Sequence, residues 1–201
     1  MKIYGDIKSG NCYKIALTAA ILNIEHEWVD IDILKNETGT KAFLQKNPNG
    51  KVPLLELDDG RCLSESNAIV NYLARDSALV PNDAFTHAKM LEWQFFEQYS
   101  HEPFIAVARF IAKYQGMPEE RKAEYEAKQP GGHKALGIME AQLMKTPYLL
   151  GEQLSVADIS LYGYTHVADE GGFDLSTYPA ILSWLARIQA EPNYVAMTQG
   201  A

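Results

Sequence analysis

A hydroxyl and a thiol lie three residues apart near the start of the chain, in the stretch Ser9-Gly10-Asn11-Cys12. The stretch follows a short apolar strand and opens an amphipathic helix, predicted over residues 11–22. The first-turn N–H groups of a helix are unpaired and its dipole favours negative charge, so this position can hold an anion or a thiolate. Two-thiol disulfide exchange would place Cys-x-x-Cys here. Because Ser9 replaces the first thiol, we expect it to stabilise the thiolate of another molecule, or else to act only as the helix N-cap.

Length and composition exclude several classes of protein. The chain has 201 residues, 47% of them hydrophobic, which is enough for one large domain or two small ones. A formal net charge of −8 disfavours binding to nucleic acid or to an anionic membrane. The first residues lack the apolar core of a signal peptide, and no apolar stretch reaches the roughly 18 residues of a transmembrane helix. Cys12 and Cys62 are too few for a disulfide framework and have no metal-site spacing, so we expect reduced thiols, no metal and a cytoplasmic location.

Strands and helices alternate over the first 75 residues. Strands are predicted at 2–4, 27–31, 52–57 and 61–63, and helices at 11–22, 40–46 and from about residue 65. A turn at residues 58–60 joins the last two strands as a hairpin, so that pair is antiparallel. The order βαβ, one helix, then ββα predicts an α/β unit with a mixed four-stranded sheet.

Beyond a linker-like stretch at residues 79–83 no strand is predicted, and apolar residues recur at helical spacing. We therefore predict a domain boundary at residues 76–84 and an all-helical second domain. The Pro-Gly-Gly sequence at 130–132 predicts a break or kink in one helix. Ser155 to Asp158 has the pattern of a capping box, in which Asp158 is expected to be a structural carboxylate rather than a catalytic one.

Four features in this order resemble the cytosolic glutathione S-transferase family. They are the Ser9 turn into the first helix, Asn49-Gly50-Lys51-Val52-Pro53, Glu65-Ser66-Asn67-Ala68-Ile69, and the capping box at Ser155 to Asp158. The opening looks bacterial: Ser9 parallels the active-site serine of theta and zeta members, and Asn11 parallels the Thr-Pro-Asn opening of the nu class. The resemblance implies a thioredoxin-like glutathione-binding domain at 1–76, a linker at 77–84 and an all-helical domain at 85–201.

The resemblance assigns roles to three residues at the start of the first helix. Ser9 is the leading donor to the glutathione thiolate. Asn11 can add an amide donor, or can instead bond to its own backbone as turn asparagines commonly do. Cys12 matches the position of a resolving cysteine, but a buried small apolar residue is the stronger interpretation.

Five further residues are expected to hold glutathione. The resemblance implies a cis Val52–Pro53 bond that exposes the backbone of Val52 to the cysteinyl part of the tripeptide, unless the proline only marks an edge strand. Ser66 and its helix N-terminus suit the γ-glutamyl carboxylate, Glu65 suits the ammonium group, and the pair can also cap the helix. Lys51 can bind the glycine carboxylate or remain solvated.

One position departs from the family pattern. Many relatives carry His or Gln in the loop before the second helix, where that side chain contacts the glycine carboxylate. Thr38 falls near this place in the present chain and supplies no charge. Lys35 or Lys51 would have to take the place of the missing His or Gln at the glycine carboxylate.

An electrophile pocket is expected between the two domains, lined by the first helices of the second domain. The candidates are Tyr99, His101, Phe104, Arg109, Tyr162 and His166. Phe104 fits equally well in the core, because it belongs to an apolar helical stripe. His101 and His166 have no metal-ligand spacing, so metal catalysis is not expected.

The resemblance implies a homodimeric glutathione transferase of the detoxification type. With glutathione as co-substrate, it would activate the thiolate for attack on a small hydrophobic electrophile. Two alternatives stay open. Asn11 favours glutathione-dependent reduction of disulfides or peroxides, as in the nu class. The other is a non-catalytic glutathione-transferase-like binding module, although such modules typically lose the Ser or Glu-Ser elements that this chain keeps.

Overall fold

The computed structural model describes residues 1–197. The chain divides into two compact units. The first holds Met1–Ser77 together with residues 191–197, and the second holds Ala78–Ala190. Within residues 1–197, no helix is both long and apolar enough to cross a bilayer.

The first unit is built on a mixed four-stranded sheet with strand order β2-β1-β3-β4. The strands are β1 (Lys2–Gly5), β2 (Glu27–Asp30), β3 (Leu54–Glu56) and β4 (Cys62–Ser64). The helices are α1 (Gly10–Ile21), α2 (Lys41–Lys46) and α3 (Ser66–Ala74), with 3-10 turns at Ile33–Lys35 and Glu37–Gly39. β1 runs parallel to β2, whereas β3 is antiparallel to both β1 and β4. The predicted order and the thioredoxin-like sheet are confirmed.

The core of the first unit forms around α1, which packs against α3. Ile15 and Leu17 of α1 and Ile69 and Val70 of α3 are fully buried. Each such side chain stabilises the fold by roughly 1.5–3 kcal/mol relative to exposure. Because burial extends around most of α1, a charged residue in this helix lies inside the protein, and Lys14 does so with no exposed surface.

The described end of the chain returns to the first unit. The Tyr13 hydroxyl donates a hydrogen bond to the Val195 carbonyl oxygen at 2.7 Å. Residues 191–197 therefore pack near α1, although they fall within the range 85–201 that the family resemblance implies for the helical domain.

The second unit is helical. Its helices are α4 (Ala84–Phe96), α5 (Glu102–Arg109), α6 (Lys122–Leu143), α7 (Val156–Thr165) and α8 (Pro179–Gln189). Wider π-helical turns follow α4 at Glu97–His101 and α5 at Phe110–Tyr114. Residues 78–190 contain no strand, only an isolated bridge between Tyr148 and Gly151. The predicted helical domain is confirmed.

α6 continues through Pro130, so the Pro-Gly-Gly sequence does not break the helix, and the alternative of a kink there stays a prediction. The two glycines have a packing role instead. A Cβ on Gly131 would lie 2.3 Å from the Phe104 ring, and a Cβ on Gly132 would lie 2.2 Å from the Phe173 ring. The aromatic rings rest on the bare helix backbone, which a larger residue at either position would prevent.

The predicted capping box at the start of α7 is confirmed. Asp158 accepts hydrogen bonds from the Ser155 N–H at 3.0 Å and the Ser155 hydroxyl at 2.7 Å. It also accepts from the Leu149 N–H at 2.9 Å and Trp184 Nε1 at 3.0 Å. Burial raises the pKa of this carboxyl above its usual value, while these hydrogen bonds act in the opposite direction. Asp158 therefore joins three parts of the helical core, as expected of a structural carboxylate.

Candidate functional site

Ser9 lies in the turn between β1 and α1. Its extended backbone, with φ −81° and ψ 125°, makes it the N-cap of α1. Its hydroxyl oxygen accepts the Cys12 N–H at 3.5 Å, which is a long cap bond. Among residues 1–197 the hydroxyl hydrogen of Ser9 has no acceptor. Ser9 is only half-buried, so it caps the helix and can still donate a hydrogen bond to an anion.

The Cys12 thiol is packed inside the first turn of α1. Burial raises its pKa to about 12, although the hydrogen bond with Ser9 and the positive charge of Lys14 act to lower it. A Cβ on Gly5 would lie 3.1 Å from the Cys12 Cβ, so this side chain fits closely against the end of β1. A thiol with such a pKa stays protonated at neutral pH, and Cys12 has the environment of a small apolar core residue.

Asn11, Lys14 and Ser66 form a hydrogen-bonded cluster that joins α1 to the start of α3. Asn11 Oδ1 accepts from Lys14 Nζ at 2.8 Å and from Ser66 Oγ at 3.0 Å. Lys14 Nζ also donates to Ser66 Oγ at 3.4 Å. The structure thus brings together two of the predicted residues, Asn11 and Ser66. The side-chain oxygen of Asn11 is engaged in this cluster, and its predicted role as an amide donor to a thiolate stays a prediction.

The start of α3 lacks a side-chain cap. Glu65 is its N-cap and has a φ of +71°, which a residue other than glycine rarely adopts. The exposed Glu65 side chain makes no cap hydrogen bond, whereas Thr40 caps α2 by accepting the Phe43 N–H at 3.3 Å. Ser66, the first residue of α3, is only 5% exposed. A helix start that has no side-chain cap and carries a hydroxyl suits a carboxylate ligand.

The Val52–Pro53 peptide bond is cis, as the family resemblance implies. Val52 lies outside the sheet ladder, because β3 begins two residues later at Leu54. The preceding residue, Lys51, is exposed, and its carbonyl oxygen accepts a hydrogen bond from Asn47 Nδ2 at 2.7 Å. This bond fixes the approach to Val52, a contribution of Asn47 that the sequence alone did not indicate.

The loop with Thr38 comes close to this segment. A Cβ on Gly50, whose φ is +61°, would lie 3.5 Å from the Thr38 carbonyl oxygen. Lys35, the other proposed substitute for the missing His or Gln, is tied to Asp32 by a 3.0 Å ion pair. Lys51 follows Gly50 and is exposed, and its binding of a glycine carboxylate stays a prediction.

The predicted electrophile residues belong to the helical unit and differ in exposure. Tyr99 is 87% exposed, whereas His101 and Tyr162 have no exposed surface. Phe104 is half-buried against Gly131, which supports its interpretation as a packing residue. His101 Nε2 lies 2.9 Å from the hydroxyl of Thr165, which itself donates to a backbone carbonyl, so Nε2 carries the hydrogen. Binding of an electrophile by these side chains stays a prediction.

Arg109 and His166, in the same unit, both make polar contacts with neighbouring residues of that unit. Arg109 Nε donates to Glu170 Oε2 at 2.7 Å, and Lys113 pairs with the other oxygen of Glu170 at 3.2 Å. The His166 ring stacks on Tyr162 with 4.7 Å between centroids, and its Nδ1 donates to the Tyr162 carbonyl at 2.7 Å. Burial lowers the pKa of His166 to about 4, which keeps the imidazole neutral at pH 7.

Lys14 is the site residue that sequence reasoning missed. It lies three positions after Asn11 in a helix, so the two side chains share a face. That spacing was the available signal, but only the packing of α3 against α1 reveals the burial of Lys14 and its contact with Ser66.

Within residues 1–197 no group of three or more His, Cys, Asp or Glu side chains is arranged to hold a metal ion.

Family models match almost the whole chain. The model of the glutathione S-transferase N-terminal domain matches residues 1–75, and that of the C-terminal domain matches residues 87–192. The chain belongs to the glutathione S-transferase family. The features of this transferase that carried the resemblance, from Ser9 to Asp158, all lie within the two matched domains.

Relatives of this glutathione S-transferase include enzymes of more than one activity. A glutathione S-transferase from Pseudomonas fluorescens has a structure with a TM-score of 0.96, is 59% identical, and the match covers 98% of each chain. The probable glutathione S-transferase GSTF2 of Oryza sativa is 30% identical over 96% of this chain and 93% of its own length. The disulfide-bond oxidoreductase YfcG of Escherichia coli is 26% identical over 90% of this chain and 87% of its own length.

Proposed function

We propose that this chain binds glutathione along the first unit and that Ser9 stabilises its thiolate for attack on a small hydrophobic electrophile. The observation that carries this proposal is the joining of two helix N-termini. Ser66 at the start of α3 donates to Asn11 Oδ1 in the first turn of α1 at 3.0 Å. A γ-glutamyl carboxylate at Ser66 and a thiol at Ser9 would each lie at a helix start, where negative charge is favoured.

The required stabilisation of the thiolate is within reach of these groups. A free thiol has a pKa near 8.5 and is only a few per cent ionised at pH 7. Lowering that pKa by about two units needs roughly 2.7 kcal/mol of preferential stabilisation of the thiolate. One hydrogen bond from the Ser9 hydroxyl and the positive end of α1 are together of this size. Cys12 does not compete, because its own thiol stays protonated.

The remaining contacts follow from the chemistry of glutathione. The backbone of Val52, outside the sheet ladder, is proposed to pair with the cysteinyl residue as an added strand would. The exposed carboxylate of Glu65 suits the γ-glutamyl ammonium group, and the exposed Lys51 suits the glycine carboxylate. Among the electrophile candidates, Tyr99 is the one with an exposed ring, and we propose it as a contact for the second substrate.

A second candidate function is glutathione-dependent reduction of disulfides or peroxides. Its support is the similarity to the disulfide-bond oxidoreductase of Escherichia coli and the presence of Asn11 in the first turn. Retention of Ser9 and of the Glu65-Ser66 pair argues against a non-catalytic binding module.

Two assays test the proposed function. Purified protein should bind glutathione in calorimetry and should melt at higher temperature in its presence, as linkage requires. No binding at millimolar glutathione would contradict it. Turnover of glutathione with an aryl halide, compared with turnover with hydroxyethyl disulfide, separates transferase from reductase activity.

A homodimer and a cytoplasmic location complete the proposal. The first helix of the second unit, α4, presents Phe85 and Phe95, which are 75% and 69% exposed. Large exposed apolar side chains mark interaction surfaces, and with α3 they are the proposed dimer contact. Sedimentation at micromolar concentration should give twice the mass of one chain. The mass of a single chain would contradict the dimer.

A further inference from the structure

Lys14 is a cation with no exposed surface, beside the two helix starts of the site. Fully buried lysines are rare in proteins, because an ammonium group loses its hydration when it is buried. An apolar side chain of similar length would fill the same space without that loss. The role of Lys14 must therefore be sought in the hydrogen bonds that its ammonium group makes.

The cluster fixes the orientation of the Asn11 amide. Lys14 can only donate hydrogen bonds, so the Asn11 atom that lies 2.8 Å from its Nζ must be the amide oxygen. The same oxygen accepts the Ser66 hydroxyl at 3.0 Å, and Ser66 Oγ accepts from Lys14 at 3.4 Å. The single hydrogen of the Ser66 hydroxyl is thus directed at Asn11.

A carboxylate that binds at the start of α3 needs this hydrogen. When the Ser66 hydroxyl rotates towards the carboxylate, Asn11 Oδ1 loses one donor but keeps Lys14. Each acceptor oxygen of the cluster therefore still receives a hydrogen bond. A buried acceptor without a donor would cost free energy. Lys14 also continues to donate to Ser66 Oγ, and a hydroxyl that accepts from a cation becomes a stronger donor.

We propose that Lys14 is a positioning residue for an α-amino carboxylate bound at Ser66, holding Asn11 and polarising the Ser66 hydroxyl without touching the ligand. This inference rests on the proposed binding of glutathione, whose γ-glutamyl end carries that group. According to this inference, the specificity for the γ-glutamyl end of glutathione depends partly on Lys14, a buried residue of α1.

The test compares two ligands on the full chain by calorimetry. One is glutathione, and the other is 4-aminobutyryl-cysteinyl-glycine, which differs only by the missing γ-glutamyl carboxylate. The variants are Lys14→Met, which keeps the unbranched stem but removes the ammonium group, and Lys14→Arg, which keeps the charge. Lys2→Met is the matched control, because Lys2 lies at the other end of β1 in an exposed ion pair with Glu27.

Lys14→Met should bind glutathione about 10- to 100-fold more weakly, the range for a hydrogen bond to a charged group. With the carboxylate-free ligand, wild type and Lys14→Met should agree within about twofold. Lys14→Arg should recover part of the affinity, and Lys2→Met should match the wild type. If Lys14→Met does not fold, Lys14→Leu, which also has no donor, takes its place with the same expectation.

Equal losses for both ligands, or no loss for either, would overturn the inference, since a merely structural lysine would not distinguish them. A lowered melting temperature with unchanged affinity for both ligands would also overturn it. If the wild type binds neither ligand, the proposed function itself fails. If the wild type binds glutathione and Lys14→Met binds it equally well, only the role of Lys14 fails.

Discussion

The Ser66 hydroxyl lies 3.0 Å from the side-chain oxygen of Asn11, and this hydrogen bond joins the N-termini of α1 and α3. The two residues are 55 positions apart in the chain. The N-terminus of a helix favours negative charge, so the proximity of these two helix starts creates one region favourable to two negative groups. A tripeptide with a carboxylate at one end and a thiol in the middle matches this arrangement.

Glu65→Gln should weaken glutathione binding by about 2 kcal/mol, because it removes the charge opposite the γ-glutamyl ammonium group. The glutamine keeps the size of the side chain and the unusual backbone conformation at φ +71°. Calorimetry measures the change, and Glu25→Gln, at an exposed position, is the control. Affinity equal to that of the wild type would remove Glu65 from the site.

Cys12→Ala should leave turnover within about twofold of the wild type and should cost roughly 1–2 kcal/mol of stability through the lost buried sulfur. Thiol labelling gives an independent check. In the native protein the exposed Cys62 should react with a thiol reagent while the buried Cys12 does not, and both should react after denaturation. Rapid native labelling of both thiols would contradict the burial of Cys12.

Asp158→Ala should lower the free energy of unfolding by about 3 kcal/mol or more. The substitution leaves the Leu149 N–H, the Ser155 N–H and Trp184 Nε1 buried without their acceptor. Urea denaturation measures the loss, with the exposed Asp76→Ala as control. A loss below 1 kcal/mol would show that Asp158 does not hold these elements together.

Stability should fall as the pH drops from about 6.5 to about 4. Burial holds the pKa of His166 at about 4 in the folded state, below the ordinary histidine value of 6.5, so the unfolded chain binds this proton more readily. The stabilisation is present above pH 6.5 and is lost towards pH 4, amounting to about 3 kcal/mol at most. Urea denaturation across this range should show a shallower pH dependence for His166→Gln. Equal slopes in both proteins would contradict the low pKa.

The periodicity of apolar residues sufficed for the sheet of the first unit and for the helical second unit. The Pro-Gly-Gly sequence was less informative: a proline followed by two glycines normally breaks or kinks a helix, and α6 is not broken there. The two glycines serve packing instead, because the rings of Phe104 and Phe173 lie where a Cβ on Gly131 or Gly132 would be. These contacts join distant parts of the sequence, so no local pattern reports them.

The sequence indicated most residues of the candidate site but missed one. Ser9, Val52-Pro53 and Glu65-Ser66 lie in local patterns that a helix start or a turn explains, and the sequence indicated them. Lys14 was not indicated, because a lysine in an amphipathic helix is usually solvated and its burial depends on the packing of α3.

Ultraviolet absorbance of the glutathione thiolate, titrated against pH in the binary complex, tests the role of Ser9 most directly. In the wild type the bound thiol should ionise about two units below the pKa of a free thiol. In Ser9→Ala that pKa should rise by roughly 1–2 units, and kcat should fall about 10- to 1000-fold while glutathione affinity stays nearly unchanged. If Ser9→Ala keeps both the thiolate absorbance and turnover, while Asn11→Ala loses them, Ser9 does not activate the thiolate.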